Sequence, residues 1–150
     1  MPFIAGQYDP NVGLIVLVAI FPAGTIPTGS VANLAPYTAL VDTGASCTCI
    51  SPKVISACKL VPHTKLTMIS ASGNHDVNAY MFQVSMLTMS PGVPVSISGI
   101  ATGILHTFTN PVQGVELLNP TGRFDVLLGM DIIQQCSLKL DPDRHWSMGW

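Results

Sequence analysis

Asp42 stands where an apolar segment, Tyr37–Val41, runs directly into a turn-forming sequence. Thr43 adds a hydroxyl group beside the carboxylate, and Gly44 allows the backbone to bend and to be approached closely. A carboxylate in such a place is a candidate for general acid–base catalysis. The structural alternative is an Asx turn, in which the aspartate closes the turn and does no chemistry.

The elements that must position this turn are predicted to be strands. Glycine and proline, with 13 and 12 residues, punctuate the chain, and the short segments between them are rich in β-branched and aromatic residues. This pattern predicts an all-β domain with many turns. The predicted strands are residues 13–21, 37–42, 48–50, 65–70, 77–87, 93–100, 103–108, 112–117, 126–128 and 137–140. Two short helices are also predicted, one from the capping residue Ser51 to Leu60 and one at residues 130–135, with Asp131 in its first turn.

The composition describes a domain with very little charge. Only 9% of the 150 residues are charged, against about 25% in an average soluble domain, and 48% are apolar. The length predicts one domain over residues 1–150, and the hydrophobicity excludes intrinsic disorder. The net charge of −2 gives no basic surface for a nucleic acid. So few charges predict that part of the surface is covered by another subunit.

The longest apolar run, residues 13–21, is too short for a membrane span, which needs about 20 residues. No basic residue precedes it, since the first is Lys53, so it does not look like a secretory signal. A buried strand is the better interpretation. Cys47 and Cys49 are two residues apart and share a face of the chain, which places them poorly for a mutual disulfide. Four free thiols and no targeting segment predict a cytoplasmic location.

Two motifs together resemble one known family. Asp42-Thr43-Gly44-Ala45 resembles the active-site motif of the aspartic proteases. The motif occurs once in a short chain, and in this respect the sequence resembles the retropepsin-like branch, which includes the retroviral proteases. Leu127, Leu128 and Gly129, followed by Asp131, resemble the motif that leads into the helix of that family. The resemblance implies an all-β, retropepsin-like acid-protease fold. Such a fold is a closed β-sheet domain with one or two short helices and a flap hairpin. The resemblance further implies that the protein is an obligate homodimer.

The resemblance also implies an activity and a role for each residue. A water molecule activated between two Asp42 carboxylates, one from each subunit, would hydrolyse peptide bonds without a cofactor or metal, because such close carboxylates share one proton. Thr43 would contact its twin across the dimer axis, while Gly44 and Ala45 would face the substrate. The substrate is expected to be a peptide or protein bound in extended form. The flap would be the polar hairpin tip, comprising Ile69, Ser70, Ala71, Ser72, Gly73 and Asn74.

The sequence departs from the retroviral pattern in several places. Met130 and Ser46 stand where retroviral enzymes often carry a paired arginine and aspartate, and Gly73 is the one glycine of the tip. Residues 89–119 form a longer stretch, and residues 142–150 extend past the usual last strand. The expected interface strands, residues 1–4 and 136–141, could therefore pack in a different order, and substrate preference is not carried over.

Other functions fit the sequence less well. Gly73-Asn74-His75-Asp76 resembles an element of metallophosphoesterases, but the required Asp-x-His occurs only at Asp143–His145, at the wrong end of the chain, so no metal site is predicted. No Gly-x-Ser-x-Gly elbow supports serine hydrolysis. Two alternatives stay open: the same fold used as a catalytically silent dimerisation or peptide-binding module, and an unrelated β-domain with a chance motif. The natural substrate, the cleavage specificity and release from a precursor are not determined by the sequence.

Overall fold

A computed structural model describes residues 3–25, 30–34, 36–88, 101–118 and 120–150 of the chain. These residues form mostly β-strands with short helices, which confirms the predicted all-β class. The predicted strand at residues 93–100 lies outside the described residues. In chain order the elements are β1 (Phe3–Gln7), β2 (Ile15–Pro22), β3 (Ser30–Leu34), β4 (Tyr37–Val41), β5 (Cys49–Ile50), α1 (Pro52–Ala57), β6 (Thr64–Ser70), β7 (Gly73–Thr88), β8 (Ala101–Thr107), β9 (Val112–Glu116), β10 (Val126–Leu128), α2 (Met130–Ile133), β11 (Ser137–Leu140) and β12 (His145–Gly149).

The main sheet closes on itself through β2. This strand pairs antiparallel with β4 on one side, where Ile15 lies opposite Leu40, and with β7 on the other, where Val18 lies opposite Met86. The path β2-β4-β10-β5-β9-β7 is therefore a closed ring, to which β8, β3 and β6 are added. The apolar run at residues 13–21 is a strand with mostly buried side chains, as predicted. The ring is filled by fully buried side chains, which include Val18, Ile50, Phe82, Val84, Met86, Val126, Leu128 and Ile132.

Both predicted helices form, but they are shorter than predicted. Ser51 caps α1 as expected, since its hydroxyl accepts a hydrogen bond from the N–H of Val54 at 3.4 Å. The helix ends at Ala57 and not at Leu60, because Lys59 adopts a φ of 52°, which an α-helix does not accommodate. The second helix covers four residues where six were predicted. Among the described residues no helix is long and apolar enough to cross a membrane.

The ends of the described chain meet in a separate three-stranded sheet. Its order is β1-β12-β11, so the two strands expected at a dimer interface do not pair with each other. β12 lies between them, with Ile4 opposite Met148 and Leu138 opposite the same residue on the other side. β12 is not among the strands predicted from the sequence, although its alternating Trp146 and Met148 are buried. The terminal strands therefore pack in the order β1-β12-β11, and residues 142–150, which extend past the usual last strand, supply the middle strand.

Candidate active site

Asp42 lies at the point where two parallel strands end side by side. β4 and β10 are paired with Val41 opposite Leu128, and the N–H of Asp42 donates to the carbonyl oxygen of Leu128 at 3.0 Å. The carboxylate then closes the turn, because its Oδ1 accepts a hydrogen bond from the N–H of Gly44 at 2.8 Å. Within the described residues, Oδ2 accepts no hydrogen bond from another protein group. One carboxylate oxygen thus holds the turn, and the other is available for chemistry.

This turn is packed against the loop that follows β10. The N–H of Met130 donates to the carbonyl oxygen of Ala45 at 2.8 Å. A Cβ atom added to Gly129 would overlap the backbone of Cys47, so only glycine permits this approach of the two segments. The glycine motif that the sequence analysis singled out therefore positions the aspartate turn through direct backbone contact.

Thr48 joins the same two segments by side-chain hydrogen bonds. Its hydroxyl donates to Oδ1 of Asp131 at 2.7 Å and accepts from the N–H of Gly129 at 3.2 Å, while its own N–H donates to Oδ2 of Asp131 at 2.9 Å. The threonine is completely buried. Thr48 is not among the residues predicted from the sequence to form the site. The alternation that places Cys47 and Cys49 on one face of the chain places Thr48 on the opposite face, and this signal could have identified it.

The aspartates that flank the glycine motif have structural contacts. Asp131 accepts the hydrogen bonds from Thr48 just described, and Oδ2 of Asp125 forms an ion pair with the Lys53 ammonium at 3.1 Å. Neither carboxylate is therefore a free partner for Asp42. The described part of the chain also contains no cluster of three or more side chains that could hold a metal ion. Of these three aspartates, Asp42 is thus the candidate catalytic carboxylate.

The predicted tip residues lie on a hairpin formed by β6 and β7. The turn is tighter than predicted, because Ser70 already pairs with Gly73 and only Ala71 and Ser72 connect the strands. Gly73 adopts a positive φ of 118°, whereas Asn74 is paired with Ile69 within the ladder. The hydroxyl of Ser70 braces the turn, because it accepts from the N–H of Ser72 at 3.3 Å and donates to the carbonyl oxygen of Gly73 at 3.2 Å. The Ile69 side chain remains 82% exposed beside this braced turn.

A cavity of about 380 Å³, called here the tip cavity, lies between this hairpin tip and the aspartate turn. Most of its surface is apolar. The hairpin contributes Ser70, Ala71 and Ser72, and the aspartate turn contributes Ala45. The structure therefore brings these predicted site residues around one space, whereas Gly73 and Asn74 do not line it. The lining residues that the sequence analysis did not single out as site residues are Cys49, Met68, Leu117 and Leu118.

A second cavity of about 440 Å³, called here the thiol cavity, lies beside the first. It is bounded by Ser46 and Cys47 on one side and by the hairpin strand with Met68 and Ile69 on the other. Met68 lines both cavities. None of the residues that line either cavity carries a charged side chain. Together the two cavities form an uncharged cleft under the hairpin.

The thiols of Cys47 and Cys49 differ in how readily they ionise. Sγ of Cys49 lies 3.8 Å from the carbonyl oxygen of Cys47, and Cys49 is almost fully buried. The neighbouring Cys49 thiol lowers the pKa of the half-buried Cys47 to about 7, against the opposing effects of burial and of the Asp131 carboxylate. The proximity of the Cys47 thiol and burial raise the pKa of Cys49. Cys47, as the more exposed of the two, is the thiol that ionises first.

Thr43 is exposed on the side of the turn that faces the terminal sheet. It borders a groove of about 270 Å³, called here the terminal groove, together with Val41 from β4 and with Leu138 and Leu140 from β11. Leu140 is 57% exposed. Thr43 therefore stands at the edge of an open apolar surface that continues from the aspartate turn onto β11.

The chain is similar to known proteins in sequence and in fold. The family described as aspartyl protease matches residues 28–132 of the chain. Among solved structures, the fold is similar to that of a retropepsin-like aspartic protease from Rickettsia conorii, with a TM-score of 0.53 and 13% sequence identity over 99% of this chain and 91% of that chain. At this identity the similarity concerns the fold alone. No curated protein matches the sequence significantly.

Proposed function

Because the chain belongs to the aspartyl protease family and has a retropepsin-like fold, we propose that it is an aspartic endopeptidase that acts as a homodimer. The observation that carries this proposal is the position of Asp42. One oxygen of its carboxylate holds the turn through Gly44, and the other accepts no hydrogen bond from the described residues. Such a carboxylate is available to activate a water molecule.

The proposed reaction needs a second carboxylate, and the second copy of the chain would supply it. Asp125 and Asp131 are engaged in structural contacts, so neither is available to pair with Asp42. A twofold axis beside Asp42 would bring the same residue of both subunits together. One carboxyl group would then act as general base toward water, and the other would donate a proton to the carbonyl oxygen of the peptide.

The terminal groove supports a dimer in this orientation. Thr43 is exposed at its edge, and Leu140 leaves more than half of its surface uncovered. We infer that the second subunit covers this surface and brings the two Thr43 side chains together across the axis. The apolar area continues directly from the aspartate turn, so contact here would place the two turns side by side.

The proposed substrate is an extended peptide held in the cleft under the β6–β7 hairpin. Both cavities of this cleft are lined by uncharged residues, which favours apolar side chains on either side of the cleaved bond. The hairpin would act as a flap that closes over the peptide and excludes water. A strict requirement for lysine or arginine next to the cleaved bond would contradict this part of the proposal.

The remaining parts of the proposal concern the whole chain. We propose that residues 1–150 fold as one domain, since β1 and β12 join the two ends of the described chain in one sheet. A cytoplasmic location is proposed because all four cysteines are free thiols, as is usual in reducing compartments.

The experiment is cleavage of an unstructured peptide library by the wild type and by the Asp42→Asn variant, at about pH 5 and at nanomolar to tens of micromolar protein. We expect cleavage by the wild type, with a specific activity that rises as the protein is concentrated. The Asp42→Asn variant should bind peptide and form the dimer but should not cleave, because an amide cannot act as the general base or the general acid. The control is Asp143→Asn, which changes an exposed aspartate paired with His145 and should leave cleavage intact.

The two open alternatives give different results in the same experiment. A folded, dimeric wild type that cleaves nothing between about pH 4 and pH 9 would favour the silent dimerisation or peptide-binding module. A wild type that stays monomeric at high concentration in sedimentation, and also cleaves nothing, would favour an unrelated β-domain. For the protease we expect an activity maximum at about pH 4–6, because one carboxyl of the pair must stay protonated.

A further inference from the structure

Residues 73–76, which resemble an element of metallophosphoesterases, do not converge on a metal site. They lie in β7, where successive side chains point to opposite faces of the strand. On one face, the carboxylate of Asp76 accepts a hydrogen bond from the hydroxyl of Thr67 at 2.9 Å. On the other face, Nε2 of His75 lies 3.1 Å from the hydroxyl oxygen of Ser72. The histidine is therefore directed at the hairpin tip, and the proposed reaction does not use this contact.

His75 stands at the start of a chain of hydrogen bonds that runs through the tip. The hydroxyl oxygens of Ser72 and Ser70 are 2.9 Å apart. The hydroxyl of Ser70 donates to the carbonyl oxygen of Gly73 at 3.2 Å and accepts from the N–H of Ser72 at 3.3 Å. The side chain of His75 is thus connected, through two serine hydroxyls, to the backbone on both sides of the turn.

The direction of every bond in this chain follows from the protons that are available. A carbonyl oxygen only accepts, so the one hydroxyl proton of Ser70 is used in the bond to Gly73. The hydroxyl of Ser72 must then donate to Ser70. Because Ser72 has no further proton for the imidazole, Nε2 of His75 carries a proton and donates to the Ser72 oxygen. The imidazolium form also has this N–H group, so the chain is compatible with the acidic pH proposed for cleavage.

This direction decides which polar groups the hairpin tip presents to the tip cavity. Ser70 and Ser72 line the cavity, but both of their hydroxyl protons are used within the turn. The hydroxyl oxygen of Ser70 also accepts two hydrogen bonds from Ser72, which occupy both of its lone pairs. The other lining residues have apolar side chains or, at Cys49, a thiol. The two serines therefore offer no hydroxyl donor to a bound side chain, which favours an apolar one.

We propose that His75 is a positioning residue that sets the preference of the tip cavity for apolar side chains. It acts through Ser72, because its N–H group holds the serine hydroxyl in the orientation that directs the proton to Ser70 and away from the cavity. Without this donor, the Ser72 hydroxyl is free to rotate and to offer its proton to a bound side chain or to water. The effect on substrates rests on the proposed protease function, whereas the hydrogen-bond chain does not.

The first test compares His75→Phe, which keeps an aromatic ring without a donor, with His75→Gln, whose amide N–H can replace Nε2–H. Cleavage of a peptide library gives the preference for leucine over serine at each substrate position. The positions that occupy the tip cavity are those whose preference changes in Leu118→Ala. There, His75→Phe should lower the preference roughly fivefold and raise KM, with kcat changed less than about twofold. His75→Gln should retain the wild-type preference. An unchanged preference in His75→Phe, or an equal loss in His75→Gln, would overturn the proposal.

A double-mutant cycle separates positioning through Ser72 from packing of the imidazole. His75 lies opposite Met68 in the ladder, so His75→Phe also changes a contact with a residue that lines the cavity. In the Ser72→Ala background the hydrogen-bond chain is already interrupted. There, His75→Phe should change the leucine preference by less than about twofold. An equal effect of His75→Phe in both backgrounds would assign it to packing and overturn the positioning role.

The hydrogen-bond chain is tested without cleavage, by NMR measurement of amide hydrogen exchange in the Asp42→Asn variant. Adding His75→Phe should speed exchange of the Ser72 amide at least about threefold, because its acceptor is no longer held in place, and His75→Gln should not. The matched control is His63→Phe, since His63 contacts Gln113 and not the tip, and it should leave this exchange unchanged. Unchanged exchange in His75→Phe would overturn the chain. A wild type that cleaves nothing, together with the expected exchange rates, would contradict the protease function and support the chain.

Discussion

The carboxylate of Asp131 accepts two hydrogen bonds from Thr48, one from the hydroxyl at 2.7 Å and one from the backbone N–H at 2.9 Å. The two residues are 83 positions apart in the sequence. The same hydroxyl also accepts from the N–H of Gly129 at 3.2 Å, so one buried side chain ties the start of α2 to the segment that carries Asp42. The position of the candidate catalytic turn therefore depends on these hydrogen bonds of Thr48 as well as on the pairing of the strands.

The first prediction concerns the hydroxyl group of Thr48. Thr48→Val keeps the shape of the side chain but removes the hydroxyl that donates to Asp131 and leaves the Gly129 N–H without its acceptor, and we expect a loss of about 1–3 kcal/mol in the free energy of unfolding. Thr48→Ser keeps the hydroxyl and should lose less. Urea denaturation at a fixed protein concentration measures both variants. A larger loss in Thr48→Ser than in Thr48→Val would mean that packing of the methyl group, and not the hydrogen bonds of the hydroxyl, stabilises this position.

The second prediction concerns the approach of Gly129 to Cys47. Gly129→Ala places a methyl group on the Cys47 backbone, and we expect a loss of about 1–3 kcal/mol in stability because the aspartate turn must move. The control is Gly122→Ala, at a glycine with φ 77° and no atom within 4 Å of an added Cβ. It tests the cost of backbone conformation alone, about 1–2 kcal/mol. Thermal unfolding compares stability, and cleavage by the folded fraction reports displacement of Asp42, which only Gly129→Ala should cause.

The local parts of the fold could be predicted from the sequence, because their signals lie within a few residues. The Asp42 turn follows from an apolar strand that meets Thr43 and Gly44, and the start of α1 follows from Ser51 as its cap. The insertion of β12 between β1 and β11 could not be predicted, because it depends on pairing between the two ends of the described chain.

The candidate site also has some parts that could be predicted from the sequence and others that could not. The residues of the aspartate turn were identified from their types and order. The roles of Thr48 and Met68 could not be predicted in this way, because they depend on segments distant in the sequence. Thr48 contacts α2, and Met68 lines the cleft together with residues of other strands. Asn74 shows that a turn-forming residue type does not by itself locate a turn. Its residue type permits a turn, yet the ladder continues to Ser70 and Gly73 and keeps Asn74 within the strand.

The third prediction concerns Ile69, an apolar side chain that is 82% exposed at the hairpin. Ile69→Ser should change the free energy of unfolding by less than about 0.5 kcal/mol, because little apolar area is buried there in the described chain. If the hairpin closes over a peptide, the same change should lower kcat/KM roughly tenfold. Val61→Ser is the matched control, since Val61 is 79% exposed and does not line the cleft. Equal kcat/KM values for the two variants would argue against a flap role.

The fourth prediction concerns the terminal groove as the surface that meets the second subunit. Leu140→Lys replaces a 57% exposed leucine by a charge that would lie close to its twin, and we expect the dimer dissociation constant to rise at least about tenfold. Val61→Lys adds the same charge at another exposed position and should leave association unchanged. Sedimentation of both variants in the Asp42→Asn background measures association without self-cleavage. Unchanged association of Leu140→Lys would place the interface elsewhere.

The last prediction concerns His106 and the stability of the protein under acidic conditions. Burial lowers the pKa of this histidine, whose ring contacts those of Phe108 and Trp150 at centroid distances of 5.3 Å. The unfolded chain, with a histidine pKa of about 6.5, takes up a proton that the folded state resists. Stability should therefore fall as the pH decreases from about 6.5 to the lowered pKa of the folded state. His106→Phe keeps an aromatic ring that cannot be protonated, so its melting temperature should fall less between pH 7 and pH 5 than that of the wild type. His63→Phe, at an exposed histidine, should leave the wild-type dependence unchanged. A His106→Phe variant with the same decrease as the wild type would show that other groups cause the acid sensitivity.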